Sequence, residues 1–243
     1  MPGTFIYLVS ALVLAIGVAL GGWFVGEGFV DARAGDRFVT VKGVAERTVM
    51  ADLALWPIRF VTTSNQLAEA QAQIAADAGK VLSFLAANGL SRESVEVESF
   101  QVTDLLAQAY RSGPIESRFI VAQTLIVRSD DVDKVASASQ NIGDLVAAGI
   151  VLSSEGQPSP GPTYLFTKLN DIKPGMIAEA TKSAREGAEQ FAHDSSSRVS
   201  GIRRANQGLF QILPRDNIPG TSQEKQIAKT VRVVSTIDYA LAD

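Results

Sequence analysis

His193 stands beside Asp194, and a histidine next to a carboxylate is the pairing that general bases and metal ligands use. Adjacent residues on a helix do not face the same way, and a helix C-terminus favours a cation. The simpler reading is a solvated histidine near the end of a helix. Ser222-Gln-Glu-Lys225 matches S-x-x-K, in which a lysine assists attack by a serine at the start of a buried helix. Here the match falls in a polar stretch with no K-T-G triplet after it, as chance matches do. Asp130, Asp131 and Asp133 suit a divalent cation, but a calcium loop needs more oxygen ligands and a later bidentate Glu. Helix capping and dipole pairing explain these acids. Glu93, Glu96 and Glu98 read as a solvated strand face, because acid–base work needs two carboxylates at a defined separation. Arg198, Arg203 and Arg204 suit phosphate or lipid headgroups and read first as a solvated turn before a strand at Gly208. No Gly-rich phosphate loop occurs. The chain has no cysteine and one histidine, which excludes disulfides, thiolate zinc sites, cysteine nucleophiles and any site with two imidazoles. The expectation is no catalytic residue, no cofactor and no metal, so not an enzyme.

The 243 residues are 46% hydrophobic and 20% charged, which describes a folded chain with a sizeable core. The net charge is -4 with both signs mixed, so no nucleic-acid partner is expected. Thr4 to Val25 carries no charge and spans roughly 30 Å as a helix, the hydrocarbon thickness of a bilayer. Trp23 and Phe24 fit the interface, and Gly17 and Gly21 fit a helix-pairing face. The rival reading is a cleaved signal peptide, with Ala32-Arg33-Ala34 as its A-x-A-like triplet. Its apolar core is too long, its basic n-region is missing, and the triplet lies well past the apolar end. The reading is therefore an uncleaved anchor over 1–30, a spacer over 31–37 and one soluble domain over 38–243. Arg33, Arg37 and Lys42 follow the helix, which taken literally puts the domain in the cytoplasm. Long domains translocate largely regardless of charge, and an apolar segment near the start is a usual export signal, so the domain is read as extracytoplasmic.

The soluble part alternates strand and helix signals. Phe38 to Lys42 reads as a strand closed by Gly43, and Ala51 to Thr63 as a second with two apolar faces. Pro57 implies an edge or a bulge there. Asn65 to Asn88 is a helix with Leu67, Ala70, Ile74, Ala78, Val81 and Leu85 on one stripe, capped by Ser64 or Asn65 and ended by Asn88-Gly89. Val95 to Thr103 and Phe119 to Arg128 are strands around a loop with Gly113-Pro114. Asp130 or Asp131 caps a second helix with Val132, Val135, Ile142 and Leu145 inside, closed by Gly149. Ile150 to Leu152 and Thr163 to Thr167 flank a turn-rich loop. A third helix, capped by Asn170, lines Ile177, Ala180, Ala184, Ala188 and Phe191 on one face. Gly208 to Leu213 and Gln226 to Tyr239 are the last strands, the latter with Val231, Val233, Ser235, Ile237 and Tyr239 on one side. Strands in adjacent pairs between helices predict an α+β fold, a mainly antiparallel sheet with three helices packed on it, plus the N-terminal transmembrane helix.

Several stretches resemble the SIMPL-domain family of envelope proteins, in particular the subset with an N-terminal membrane helix. Val39 to Phe60, VTVKGVAERTVMADLALWPIRF, has the family's strand, Gly, acidic residue and Ala-Asp pair at Gly43, Glu46, Ala51 and Asp52. The Ala-rich helix running into Asn88-Gly89, the TLIVRSDDVDKV strand end and the AEATKSAREGAEQFA helix also fit, so the resemblance covers about Phe38 to Ala240. It implies a periplasmic domain on the inner membrane, ring-like homo-oligomers in some members and an association with oxidative or envelope stress. It supplies no catalytic residue. The expected function is a non-enzymatic, membrane-anchored envelope protein that self-assembles or binds a protein partner. Long two-sided apolar strands at Ala51 to Thr63 and Gln226 to Tyr239 would serve that association. The alternatives are an envelope enzyme using His193, Ser222, Lys225 or Asp131, and a carrier of a small ligand or lipid.

Overall fold

A computed structural model describes residues 3–34, 37–107, 116–155 and 160–242, with side chains of the first helix from Ser10 to Gly28. The Gly113-Pro114 turn, Gly35 and Asp36 of the spacer, and 156–159 of the turn-rich loop lie outside the described residues. The elements in order are α1 (Gly3–Ala34), β1 (Phe38–Met50), β2 (Leu53–Ser64), α2 (Leu67–Ala87), β3 (Val95–Asp104), β4 (Phe119–Ser129), α3 (Val132–Gln140), α4 (Gly143–Ala147), β5 (Val151–Leu152), β6 (Thr163–Leu165), α5 (Leu169–Asp194), β7 (Arg198–Gln207), β8 (Gln211–Pro214) and β9 (Ala228–Ala242). Single 3-10 turns sit at Arg92–Ser94, Leu105–Ala107 and Gln223–Lys225. The fold is α+β with antiparallel sheets, as the pattern of paired strands predicts. The strands form two sheets, one ordered β1-β9-β7 with β8 on β9, the other β3-β4-β2-β5 with β6 on β2.

The helix α1 runs past the predicted anchor end at residue 30, through most of the expected spacer, to Ala34. Gly26 and Gly28 do not stop it, since a glycine inside a helix costs only about 1 kcal/mol. Ser10–Gly28 has a mean hydropathy of 1.7 and none of it is buried, so this helix is long and apolar enough to cross a membrane.

The chain divides into two compact units. The larger holds residues 47–173 and 211–231. Its core joins Trp56, Ile58 and Phe60 of β2 to Val121, Leu125 and Val127 of β4, with Ile74, Val81 and Leu85 of α2 among the same cluster. The register Trp56↔Val127, Ile58↔Leu125, Phe60↔Gln123 puts alternate β2 residues on that core face. The α2 stripe is as predicted except that Leu67 at its start is exposed and that in mid-helix Asp77 is buried while Ala78 is half-buried. At its end Gly89 takes φ +77, with Leu90 N–H bonded to Leu85 O and Gly89 N–H to Ala86 O, a Schellman cap. At its start Ser64 Oγ accepts from Gln66 N–H and donates to Glu69, while Asn65 Oδ1 is occupied by Arg118 N–H.

Pro57 does not mark an edge strand, because β2 has β4 on one side and β5 and β6 on the other. The tolerance is local. Ser153 N–H donates to Arg59 O at 2.9 Å, which places Arg59's backbone on the β5–β6 side, and the alternate residue Pro57 faces the same way. There β6 pairs only residues 53–55 and β5 only 60–61, so the missing N–H points at a gap in the ladder. The single helix expected after Asp131 is broken into α3 and α4 around Asn141 and Ile142. Asn141 N–H bonds to Ala138 O, and Asp144 N–H to Asn141 O, turn bonds that fit Asn and Gly rather than a continuous helix. Gly149 closes the segment at φ +83.

The smaller unit holds residues up to 46, then 174–210 and 232–243. Gly43 does not end β1, which continues to Met50. Its role is close approach, for a Cβ there would lie 1.8 Å from Ala180 O. The buried face of α5 is Met176, Ala180, Ala184, Ala188 and Ala192. Phe191, expected inside, is 60% exposed, since a helix this near a strand backbone admits only small residues. Asn170 is not the cap and instead accepts from Lys173 within the first turn. The helix ends on Ser196 at φ +54, with Ser197 N–H bonded to Ala192 O. On β9, the predicted side of Val231, Val233, Ser235, Ile237 and Tyr239 is buried. The largest departure is β7. The expected turn at Arg198 to Arg204 is a strand, and the strand expected from Gly208 begins only at Gln211.

Candidate functional site

The residues with chemical potential do not converge. His193 Nδ1 lies 3.4 Å from Asp194 Oδ1, so the neighbours do meet at the C-terminal end of α5. Both side chains are largely exposed, at 86% and 64%, and Gln190 Nε2 also donates to the carboxylate at 3.1 Å. Lys225 is committed elsewhere than to Ser222. Its Nζ donates to Pro160 O at 2.9 Å, Gly161 O at 3.2 Å and Pro162 O at 3.0 Å. Burial pushes its pKa down, yet an ammonium clasped by three carbonyls holds a loop rather than activating a hydroxyl.

Asp131 is the cap of α3, accepting Lys134 N–H at 3.1 Å and pairing with Lys134 Nζ at 2.8 Å. The Lys134 partner holds its carboxyl below the usual range. Asp130 and Asp133 are exposed beside it. Among the described residues no group of three or more His, Cys, Asp or Glu is gathered to hold a metal ion. Glu93, Glu96 and Glu98 are exposed, with Glu98 at the irregularity where β3 shifts register against β4. Arg198, Arg203 and Arg204 are spread along β7, an exposed edge strand with two register shifts.

Other polar groups matter that the sequence reading passed over. Lys229 is fully buried and its Nζ donates to Gln223 O and, at 3.1 Å, to Gln223 Oε1. The period-two pattern of β9 was the available signal, for Lys229 falls in step with Val231 and Val233. Asp77, also buried, accepts from Gln73 and Lys80. Arg118 grips Asp104 with Nε and Nη2, at 3.1 and 2.8 Å, and this fork lowers the Asp104 carboxyl and raises the guanidinium. The Arg118–Asp104 pair, 14 residues apart, has no local signature, whereas Asp77 meets its partners at i−4 and i+3 within α2.

Two clefts of the larger unit lie among the described residues. One of about 250 Å³ opens at the ladder gap beside Pro57, between Leu152 and Pro160. The other, about 370 Å³, is lined by Tyr164, Ser139, Gln140, Arg215, Asp216 and Lys225. Its charges are already paired. Arg215 donates to Asp216 at 2.9 Å, and Gln226 grips the Asp216 backbone by accepting its N–H and donating to its carbonyl. Burial raises the Tyr164 phenol. Neither cleft assembles nucleophile, base and oxyanion donors around one point.

A family model described as SIMPL, protein of unknown function (DUF541), matches residues 39–236. The chain belongs to the SIMPL family. No curated protein matches it. The motif residues of this SIMPL domain have structural duties. Gly43 admits α5. Glu46 Oε1 lies 3.3 Å from Arg232 Nε, an ion-pair distance without hydrogen-bond alignment. Ala51 is buried and its N–H bonds to Ile227 O. Asp52 takes the Thr167 N–H at 2.7 Å and its hydroxyl at 3.1 Å. The SIMPL pattern in this chain is thus a set of packing and locking positions.

Proposed function

We propose that this SIMPL protein is a membrane-tethered, non-enzymatic component of the cell envelope that works by assembling with copies of itself or with a protein partner. Its domain sits in the periplasm, and the oxidative or envelope stress link implied by the family resemblance belongs to the same reading. The observation that carries it is an uncovered stretch of core face on the edge strand β3. Val97, Phe100 and Val102 register with Leu125, Gln123 and Val121 of β4, whose face is the core of the larger unit. The helix α2 packs over β2 and β4, and the three β3 side chains are left 56%, 50% and 48% exposed. An apolar edge of this kind is what association covers. The two strands expected to serve association, β2 and β9, are interior to their sheets, so the surface moves to β3. The binding of Lys225 and Asp131 in structural contacts supports a role without catalysis.

Light scattering on the full chain in detergent is the test. The wild type is expected to run as a multimer and Phe100→Glu as a smaller species with an unchanged circular dichroism spectrum. A wild type that stays monomeric at every concentration overturns the assembly reading. A reporter fused after Asp243 that faces the cytoplasm overturns the periplasmic one.

A further inference from the structure

We infer that the β3 edge is covered by the β3 of a second copy, paired antiparallel about a two-fold axis at Gln101. The inference rests on the assembly reading above and names its occupant. The strand edges of the chain differ in their protection. The β7 edge carries three arginines and two register shifts, and β1 carries Lys42, Glu46 and Arg47. The strands β5, β6 and β8 are only two to four residues long. Charge, irregularity and shortness are what keep a sheet edge from pairing with another chain. The strand β3 has one irregularity, at Glu98. Beyond it Ser99 to Thr103 reads S-F-Q-V-T, with no charge, proline or glycine. Among the described residues no strand lies on its outer side.

The register with β4 sorts these residues by face. Phe100 and Val102 register with Gln123 and Val121, and Val121 belongs to the core. Ser99 and Gln101 stand on the other face, where Ser99 Oγ donates to Thr124 Oγ1 at 3.1 Å and Arg59 donates to Gln101 Oε1 at 3.3 Å. Thr103 follows on that second face. Residues directly opposite each other in an antiparallel pair share a face, so the axis of a self-pairing must fall on a residue. An axis on Phe100 would set Val102 against Glu98, and one on Val102 would set Phe100 against Asp104. An axis on Gln101 sets Phe100 against the second copy's Val102 and Ser99 against its Thr103, each pair occurring twice. Aromatic against β-branched is a favourable cross-strand pair. At the ends Glu98 comes opposite the second copy's Asp104, a carboxylate that Arg118 already holds in a fork at 3.1 and 2.8 Å. Symmetry supplies this match from a second copy without any further sequence. With α1 in the bilayer the copies also share one plane, which raises their effective concentration.

The test is a charge swap in the full chain, read by light scattering over a dilution series in detergent. Ser99 and Thr103 are about 14 Å apart within a copy, and about 5 Å from each other's counterpart across the axis. S99K/T103K sets like charges opposite each other twice, whereas S99K/T103E and S99E/T103K set opposite charges there. The like-charged variant is expected to dissociate at a concentration about thirtyfold higher than the other two. Mixing S99K/T103K with S99E/T103E is expected to restore the multimer, which also shows that both variants are folded. The chain has no cysteine, so S99C and T103C give a second reading with little change of size. Nitroxides on a mixture of the two are expected near contact, and on either alone about 14 Å apart. Equal dilution curves for the three charge variants beside a multimeric wild type overturn the β3 pairing and leave assembly standing. A nitroxide mixture no closer than either label alone overturns it too. A wild type that stays monomeric at every concentration overturns both readings.

Discussion

Gly43→Ala is expected to destabilise the protein by about 3 kcal/mol, a fall in Tm on the order of 10 °C. The added Cβ would stand 1.8 Å from Ala180 O, 2.6 Å from Ala184 N and 2.8 Å from Ala184 Cβ. Two of these atoms are backbone and cannot rotate away. Relief requires β1 and α5 to separate, which opens the packing of Val41, Ala184, Ala188 and Tyr239. Gly187→Ala is the control. Its Cβ would meet only Val41 Cγ1, at 4.0 Å, and Gly187 lies inside α5. Alanine there should stabilise by up to about 1 kcal/mol through helix propensity. Thermal melts with opposite signs at two glycines of one contact identify close approach as the cause. A Gly43→Ala protein that melts like the wild type would show that α5 does not lie where the small-residue face places it.

What could be read in the sequence was what neighbouring residues decide among themselves. The α2 stripe from Ala70 to Leu85 apart from the buried Asp77, the Asn88-Gly89 stop, the Asp131 cap and the alternating side of β9 each depend on a few adjacent positions, and each stands as read. Phe191 failed because hydrophobicity favours the large residue, whereas the buried face of α5 from Ala180 on is a row of alanines, Ala180, Ala184, Ala188 and Ala192, the first two of which meet Gly43. The strand β7 was missed because RVSGIRRANQ is exposed along nearly all its length and its two register shifts erase the alternation. Only pairing with β9 makes it a strand. Pro57 shows the same limit, since whether a proline sits at an edge depends on where β5 and β6 stop. Among the candidate site residues, the Asp131 cap was legible three positions from its partner. The Lys225 clasp was not, because the three carbonyls that form it lie 63, 64 and 65 residues away along the chain.

Lys229→Ala is expected to cost about 3 kcal/mol, and Lys229→Met roughly 1 to 2. Both remove the donor to Gln223 and strand its two oxygens, but only alanine also empties the volume of a fully buried stem. The difference between the variants therefore measures the cavity, and the Met value measures the lost bonds less the relief of a desolvated charge. The pH dependence tests the second part. Burial lowers the folded-state pKa of Lys229 below the 10.5 of a free lysine. Between those two values the unfolded chain binds more protons, so this group makes stability rise with pH across the window. Lys225 is shifted the same way and adds to the slope. Tyr164 runs against it, for its raised pKa gives stability that is present below the 10.0 of a free phenol and lost as pH climbs through its folded value. The wild-type curve mixes all three. Subtracting the Lys229→Met curve from it cancels Lys225 and Tyr164, and the remainder should rise with pH and level off near 10.5. A remainder that falls with pH would mean that Lys229 is held as a cation by its carbonyl partners more strongly than burial opposes it.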